Sequence, residues 1–193
     1  MEIVFATQNK HKLEEIQKIV GDQYKIISLA ELNFFEDIPE TENTLVGNAL
    51  MKARFIHEKF HCNCFADDTG LEIDALHGAP GVYSARYAGP ACSFEDNMRK
   101  VLSQMEGISN RKAQFKTVIA LILDNKEYLF EGSVSGTILE KKSGTQGFGY
   151  DPIFLPDGYN ESFAEMSAEL KNRISHRAVA TQKLTHFLHS LAF

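Results

Sequence analysis

The 193-residue chain, 44% hydrophobic and 24% charged, has the length and make-up of one globular domain with a substantial core. A net charge of -6 without any long basic run argues against a polymeric nucleic-acid partner, though a few Lys and Arg can still converge on a small anion. No stretch approaches the roughly 18 consecutive apolar residues of a membrane span, and three cysteines without a disulfide-framework spacing suit a reducing cytoplasm.

The N-terminus lacks the basic start and long apolar stretch of a signal peptide, and residues 2–7 read as a first strand. A helix follows with Leu13, Ile16, Ile19 and Val20 at helical spacing. Residues 24–28 form a second strand, and 29–43 a loop rich in acids, among them Glu36, Asp37, Glu40 and Glu42. The next helix, from about Thr44 to His61, presents Val46, Ala49, Ala53, Ile56 and Phe60 on one face. A strand then runs into Asp67-Asp68, where Thr69-Gly70 is expected to break it, and a Gly/Pro-rich segment continues to Pro90.

Phe94, Met98, Val101, Leu102 and Met105 mark another amphipathic helix. Residues 112–123 form a strand whose Val118–Leu123 run suits burial on both faces, and Asp124-Asn125 turns it into a hairpin partner over 127–136. Residues 144–160 read as a loop, and 178–191 as a closing helix. The order is mixed α/β, with antiparallel pairing in the second half.

Several segments carry candidate chemistry. Adjacent acids such as Asp67 and Asp68 are costly in a core but natural at Mg²⁺, which takes one or two carboxylates and leaves the rest to water and phosphate. An Asp-rich turn capping a helix is the alternative. Thr7-Gln8-Asn9-Lys10-His11-Lys12 joins the first strand to the first helix, where backbone amides can face an anion. It lacks a Walker ending, and a capping loop with solvated lysines fits it equally. Glu40 by itself suits a surface acid beside a helix dipole. Asn48 and Lys52, one turn apart, either reach phosphate or are solvated.

His57-Glu58-Lys59-Phe60-His61 matches the HExxH pattern of zinc metalloproteases, with helix-end packing as the competing explanation. In Gly147-Phe148-Gly149-Tyr150-Asp151-Pro152 the glycines let backbone approach a ligand, and two rings offer faces to a planar base. An irregular loop with packed aromatics is the alternative. Before the last helix, Ser175 suits an N-cap. His176 and Arg177 then sit where the helix dipole disfavours cations, which points to an anionic or carbonyl-bearing ligand.

Together these segments resemble the non-canonical purine nucleoside triphosphate pyrophosphatases, the inosine/xanthosine triphosphatases. The resemblance is carried in order by Ala6-Thr7-Gln8-Asn9 with Lys12, Glu40-Thr41 with Asn48 and Lys52, and Ala66-Asp67-Asp68-Thr69-Gly70-Leu71. It continues through Gly78-Ala79-Pro80-Gly81-Val82-Tyr83-Ser84-Ala85-Arg86-Tyr87, Gly147-Phe148-Gly149-Tyr150-Asp151-Pro152, Phe163-Ala164-Glu165-Met166, Lys171 and Ser175-His176-Arg177. Gly47 departs from the pattern, standing where an acid is usual.

The resemblance implies one domain over residues 1–193, with a mixed, elongated, twisted sheet flanked by helices and two lobes around a central cleft. It implies a homodimer that hydrolyses ITP, dITP and XTP to the monophosphate and pyrophosphate with Mg²⁺. Carried over by motif, Asp68 is the base, with Glu40 and Asp68 near the metal; Asp67 ranks below Asp68, because adjacent strand residues point to opposite faces unless the strand breaks. Thr7, Gln8, Asn9, Lys10, His11 and Lys12 hold the triphosphate, and Thr69 touches substrate. Phe148, Gly149, Tyr150 and Asp151 hold the purine, with Lys171, His176 and Arg177 completing its pocket. Zinc hydrolysis through His57, Glu58 and His61, and a nucleotide-binding regulator without catalysis, are the alternatives. Retention of Glu40, Asp67 and Asp68 argues against the second.

Overall fold

The computed structural model describes residues 2–191. In chain order its elements are β1 (Glu2–Phe5), α1 (Lys10–Val20), β2 (Lys25–Ser28), α2 (Leu45–Phe60), β3 (Cys64–Ile73), β4 (Pro80–Gly81) and α3 (Phe94–Gln104). They continue with β5 (Lys112–Leu123), β6 (Lys126–Ile138), β7 (Phe154–Pro156), α4 (Ala168–Ile174) and α5 (His176–Ser190). The strand order is β2-β1-β3-β5-β6-β7, with β4 on β3. β1 pairs parallel with β2 and β3, while β3–β4 and β6–β7 are antiparallel, so the sheet is mixed. Among the described residues no helix is long and apolar enough to cross a membrane.

The chain forms two compact units. The first holds residues 2–68, Thr117–Gly132 and 177–191, and the second holds Thr69–Lys116 and Ser133–His176. In the first, Ile3 and Phe5 of β1, Ile16 of α1, Phe65 of β3 and Leu184 of α5 share a core with Ile119 and Leu121 of β5. Phe5 and Phe65 stack with centroids 4.5 Å apart. The run from Val118 to Leu123 is buried at every position, as its unbroken apolar sequence predicts for a strand covered on both faces. In the second unit, Leu71, Val101, Phe115, Phe154 and Phe163 lie in a separate core.

Side-chain caps start the helices. Asn9 accepts from the amides of His11 and Lys12, Thr44 from Gly47, Ser93 from Asp96 and Ser167 from Leu170.

The sequence expectations need four corrections. β3 does not break at Thr69-Gly70 but runs on to Ile73, because β4 supplies it with a partner through Leu71↔Gly81 and Glu72↔Pro80. Gly70 makes that pairing possible, since a Cβ there would lie 2.6 Å from the Gly81 carbonyl oxygen. Gly70→Ala is therefore expected to destabilise the protein by about 1–3 kcal/mol, the cost of overpacking, read as a lowered Tm. An unchanged Tm would show that the backbone yields there.

The expected loop at 144–160 contains a short helical turn at Asp151–Ile153 and the strand β7. Helix α4 is absent from the sequence expectations, although Ser167 with Glu169 in the first turn is a start signal. Finally, α5 begins at His176, not at 178 as its apolar span suggests but where an N-cap at Ser175 puts it, directly after the Ser175 that closes α4.

Candidate active site

Two clusters of functional side chains emerge, one in each unit. In the first, Asp67 and Asp68 are successive residues of an uninterrupted strand, so their side chains leave opposite faces. Only a break in β3 would let both acids face the same way, and β3 has none there.

Asp67 meets α1 and α5. Its Oδ1 accepts from Lys12 Nζ at 3.0 Å, and its Oδ2 lies 3.3 Å from both Nε and Nη2 of Arg177. The guanidinium of Arg177, only 1% exposed, also donates through Nη1 to Glu15 on α1. Burial alone would raise the Asp67 carboxyl, but Lys12, Arg177 and Lys52 outweigh it and hold the group well below the usual carboxylate range. Lys12 is pulled down by its own burial, only partly offset by Asp67.

Asp68 meets α2 instead. Asn48 Nδ2 donates to its Oδ2 at 3.2 Å, and Lys52 Nζ stands 3.8 Å from its Oδ1. Lys52 also donates to Glu40 at 2.5 Å, so two carboxylates share one ammonium. Burial raises the Asp68 carboxyl, the charges of Glu40 and Asp67 add to this, and Lys52 and Lys12 offset only part. For Glu40, by contrast, Lys52 overcomes the effect of burial and lowers the group. The neighbouring acids are thus driven apart: Asp67 is locked as a counter-ion, and Asp68 is the more basic of the two. Asn48 and Lys52, for which sequence leaves solvation open, are both buried. Asn48 Oδ1 also accepts from the Glu42 amide at 2.9 Å, which fixes its amide for Asp68.

The loop before α1 is pinned at both ends. Thr7 Oγ1 accepts from the Asn9 amide at 3.2 Å, and Gln8 donates to the Glu36 carbonyl in the acid-rich loop. Glu36 is itself paired with Lys59 at 3.1 Å, and Lys10 is exposed. At Gly47, which departs from the family pattern, an added Cβ would lie 2.7 Å from the Cβ of Glu42.

In the second unit, Asp151 organises the aromatic loop. Its Oδ2 accepts from Lys171 Nζ at 2.6 Å and from the Phe148 amide at 2.9 Å. A Cβ on Gly147 would collide with that same oxygen, so the glycine, at φ +73°, is required for the turn. Lys171 stands 4.9 Å from the centre of the Phe148 ring, and Phe94 packs against Phe148 with centroids 6.0 Å apart. Tyr150 is buried, which raises its phenol, and its hydroxyl donates to the Ser84 carbonyl at 2.6 Å. His176 stacks on Phe115 at 4.5 Å and 15°. Thr69, on β3, and Gly149, at φ +64°, complete the residues singled out by sequence.

The zinc alternative finds no support. The ring nitrogens of His57 are engaged by the Cys62 carbonyl at 2.7 Å and Asn125 Oδ1 at 3.0 Å. α2 ends at Phe60, which leaves His61 in a left-handed cap at φ 50°. Among the described residues no group of three or more His, Cys, Asp or Glu is arranged to hold a metal ion.

Sequence reasoning misses Glu15 altogether. Its partner Arg177 lies 162 residues away, and no local pattern signals the pairing.

The chain has relatives along nearly its whole length. A model of the Ham1 family matches residues 3–187. A dITP/XTP pyrophosphatase of Flavobacterium johnsoniae is 53% identical over 188 residues, covering 97% of this chain and 98% of the relative. The solved Ham1 protein of Staphylococcus aureus superposes with a TM-score of 0.89 at 40% identity, over 98% of this chain and 99% of that one. That of Coxiella burnetii gives 0.90 at 39% identity, with the same coverage of both chains.

Proposed function

The chain belongs to the Ham1 family, and on that premise we propose that it hydrolyses the deaminated purine nucleoside triphosphates ITP, dITP and XTP to the monophosphate and pyrophosphate. The observation that carries this is the pair Asp67–Asp68, successive residues on opposite faces of β3 whose carboxyls are shifted in opposite directions amid Lys12, Lys52 and Arg177. Such a split is what a base beside an anion-binding cluster requires.

In the reaction, water attacks phosphorus at the bridge between the α- and β-phosphates, its proton passes to the Asp68 carboxylate, and the bridging P–O bond breaks to release the monophosphate and pyrophosphate. Asn48 keeps one oxygen of Asp68 oriented through its amide. The ammoniums of Lys12 and Lys52 offset the negative charge of the phosphates. Thr7, Gln8, Asn9, Lys10 and His11 bind the triphosphate at the start of α1, and Thr69 contacts it as well.

The residues suit Mg²⁺. Glu40 and Asp68 present hard oxygens on either side of Lys52, and Mg²⁺ needs only one or two carboxylates when phosphate and water supply the rest. Those two residues would hold it, and once bound it supplies charge neutralisation at the phosphates.

The purine belongs with Phe148, Gly149, Tyr150 and Asp151. Lys171, His176 and Arg177 supply donors to an oxygen at position 6, where adenine carries a donor of its own and leaves them unpaired. A homodimer in the cytoplasm completes this reading, in keeping with three free cysteines.

Pyrophosphate release measured over ITP, dITP, XTP, ATP and GTP with Mg²⁺ tests the proposal. ITP is expected to give IMP and pyrophosphate, because the bridge between the α- and β-phosphates is the one cleaved. IDP and orthophosphate as first products would reject the mechanism, and equal rates on ATP would reject the substrate class.

A further inference from the structure

We infer that Asn97, a residue of α3 outside the aromatic loop, is a positioning residue that sets Tyr150 of that loop through the Ser84 carbonyl. The inference rests on the reading above, in which residues 148–151 hold the purine.

Asn97 is 2% exposed, and it spends both ends of its amide on one short stretch of backbone. Nδ2 donates to the Ala85 carbonyl at 2.9 Å and, at 3.4 Å, to that of Ser84. Oδ1 accepts from the Ala88 amide at 2.7 Å. The stretch forms a single helical turn over Ser84–Arg86, so the Asn97 side chain does the holding that a sheet partner does elsewhere.

Tyr150 donates to the same Ser84 carbonyl at 2.6 Å. The Ser84 hydroxyl fixes that residue from its other side, accepting from the Leu71 amide at 2.9 Å and donating to the Gly81 carbonyl at 2.6 Å. One carbonyl oxygen is therefore where the Asn97 side chain and the Tyr150 hydroxyl meet. A buried hydroxyl left without its acceptor is costly, so Tyr150 follows Ser84 wherever Asn97 places it.

The test is steady-state kinetics on ITP for Asn97→Asp, Tyr150→Phe and the double variant, with Phe148→Ala as reference. The Asn97→Asp change retains the acceptor for Ala88 but turns an acceptor toward two carbonyls. Tyr150→Phe keeps the ring while losing the donor. Each single change is expected to raise KM about 3- to 10-fold, the effect of one lost hydrogen bond, with kcat within about 2-fold. The double variant should be no worse than the worse single, since both act through one atom.

A merely structural Asn97 would lower Tm and leave KM unmoved, and this result overturns the inference. Independent effects that multiply in the double variant overturn it too. In both cases a raised KM for Tyr150→Phe leaves the purine assignment standing. If Phe148→Ala and Tyr150→Phe both leave KM for ITP unchanged, the purine assignment itself fails and takes the inference with it. Should Asn97→Asp not fold, amide hydrogen exchange in Tyr150→Phe decides. Faster exchange at Ala88 supports the coupling, and unchanged exchange overturns it.

Discussion

Asp68→Asn is expected to lower turnover by about 10²–10⁴-fold, the usual cost of removing a general base, while the protein keeps or gains thermal stability. The second half follows from proton linkage. Burial raises the Asp68 carboxyl above its ordinary value, with Glu40 and Asp67 adding to the shift. The folded chain therefore binds this proton more tightly than the unfolded one, and at neutral pH the ionised group works against folding. A neutral Asn of the same shape removes that penalty and still presents an oxygen to the Asn48 amide.

Asp67→Asn should behave in the opposite way. Its carboxyl is held low despite burial, so its ionised form favours the fold, and when it goes Lys12 loses its ion-pair partner and Arg177 keeps only Glu15 of its two. Tm falls for Asp67 and holds or rises for Asp68, while kcat collapses for Asp68. Thermal melts and kcat/KM on ITP for both variants check this. Near wild-type turnover in folded Asp68→Asn would move the base elsewhere, and a lowered Tm there would show the carboxylate to be part of the scaffold.

The parts of this fold that are legible in the sequence are those set by local rules. The period of Leu13, Ile16 and Val20 marks α1, and the unbroken apolar run to Leu123 marks a doubly covered strand. The outline of the candidate site is legible because its residues cluster in a few short motifs. What cannot be read is set by contacts distant in sequence. Thr69-Gly70 has the composition of a strand break, yet the strand continues because Gly81 comes to lie beside Gly70. Lys52 suits solvent as well as phosphate by its sequence position, and its burial depends on Glu40 and Asp68 arriving from two other segments. α4 has only seven residues, too few for a full apolar stripe to announce it.

Arg177→Ala is expected to be the most damaging single change to stability. The guanidinium is shared between Asp67 and Glu15, and none of the three side chains is well exposed. Removing one partner from a buried ion pair costs about 3–5 kcal/mol, because the charge left behind stays out of water. For a chain of this size each kcal/mol is worth roughly 2–4 °C in Tm, so a fall of about 10 °C is expected.

The acid limb of stability should move as well. A carboxylate held low stabilises the fold above its unfolded pKa, and the contribution is lost as pH falls through the folded value. Without Arg177, Asp67 keeps Lys12 but takes up its proton at higher pH, so acid unfolding should begin at a higher pH than in the wild type. Base selection is a separate matter. To read a 6-oxo purine the guanidinium has to exchange a carboxylate for the base, and if it does so the ITP-to-ATP ratio of kcat/KM narrows in Arg177→Ala. Measured below the variant's own Tm, a narrowed ratio places Arg177 in purine recognition. A lowered Tm with an unchanged ratio confines it to anchoring Asp67, and leaves recognition to Lys171, His176 and the aromatic loop.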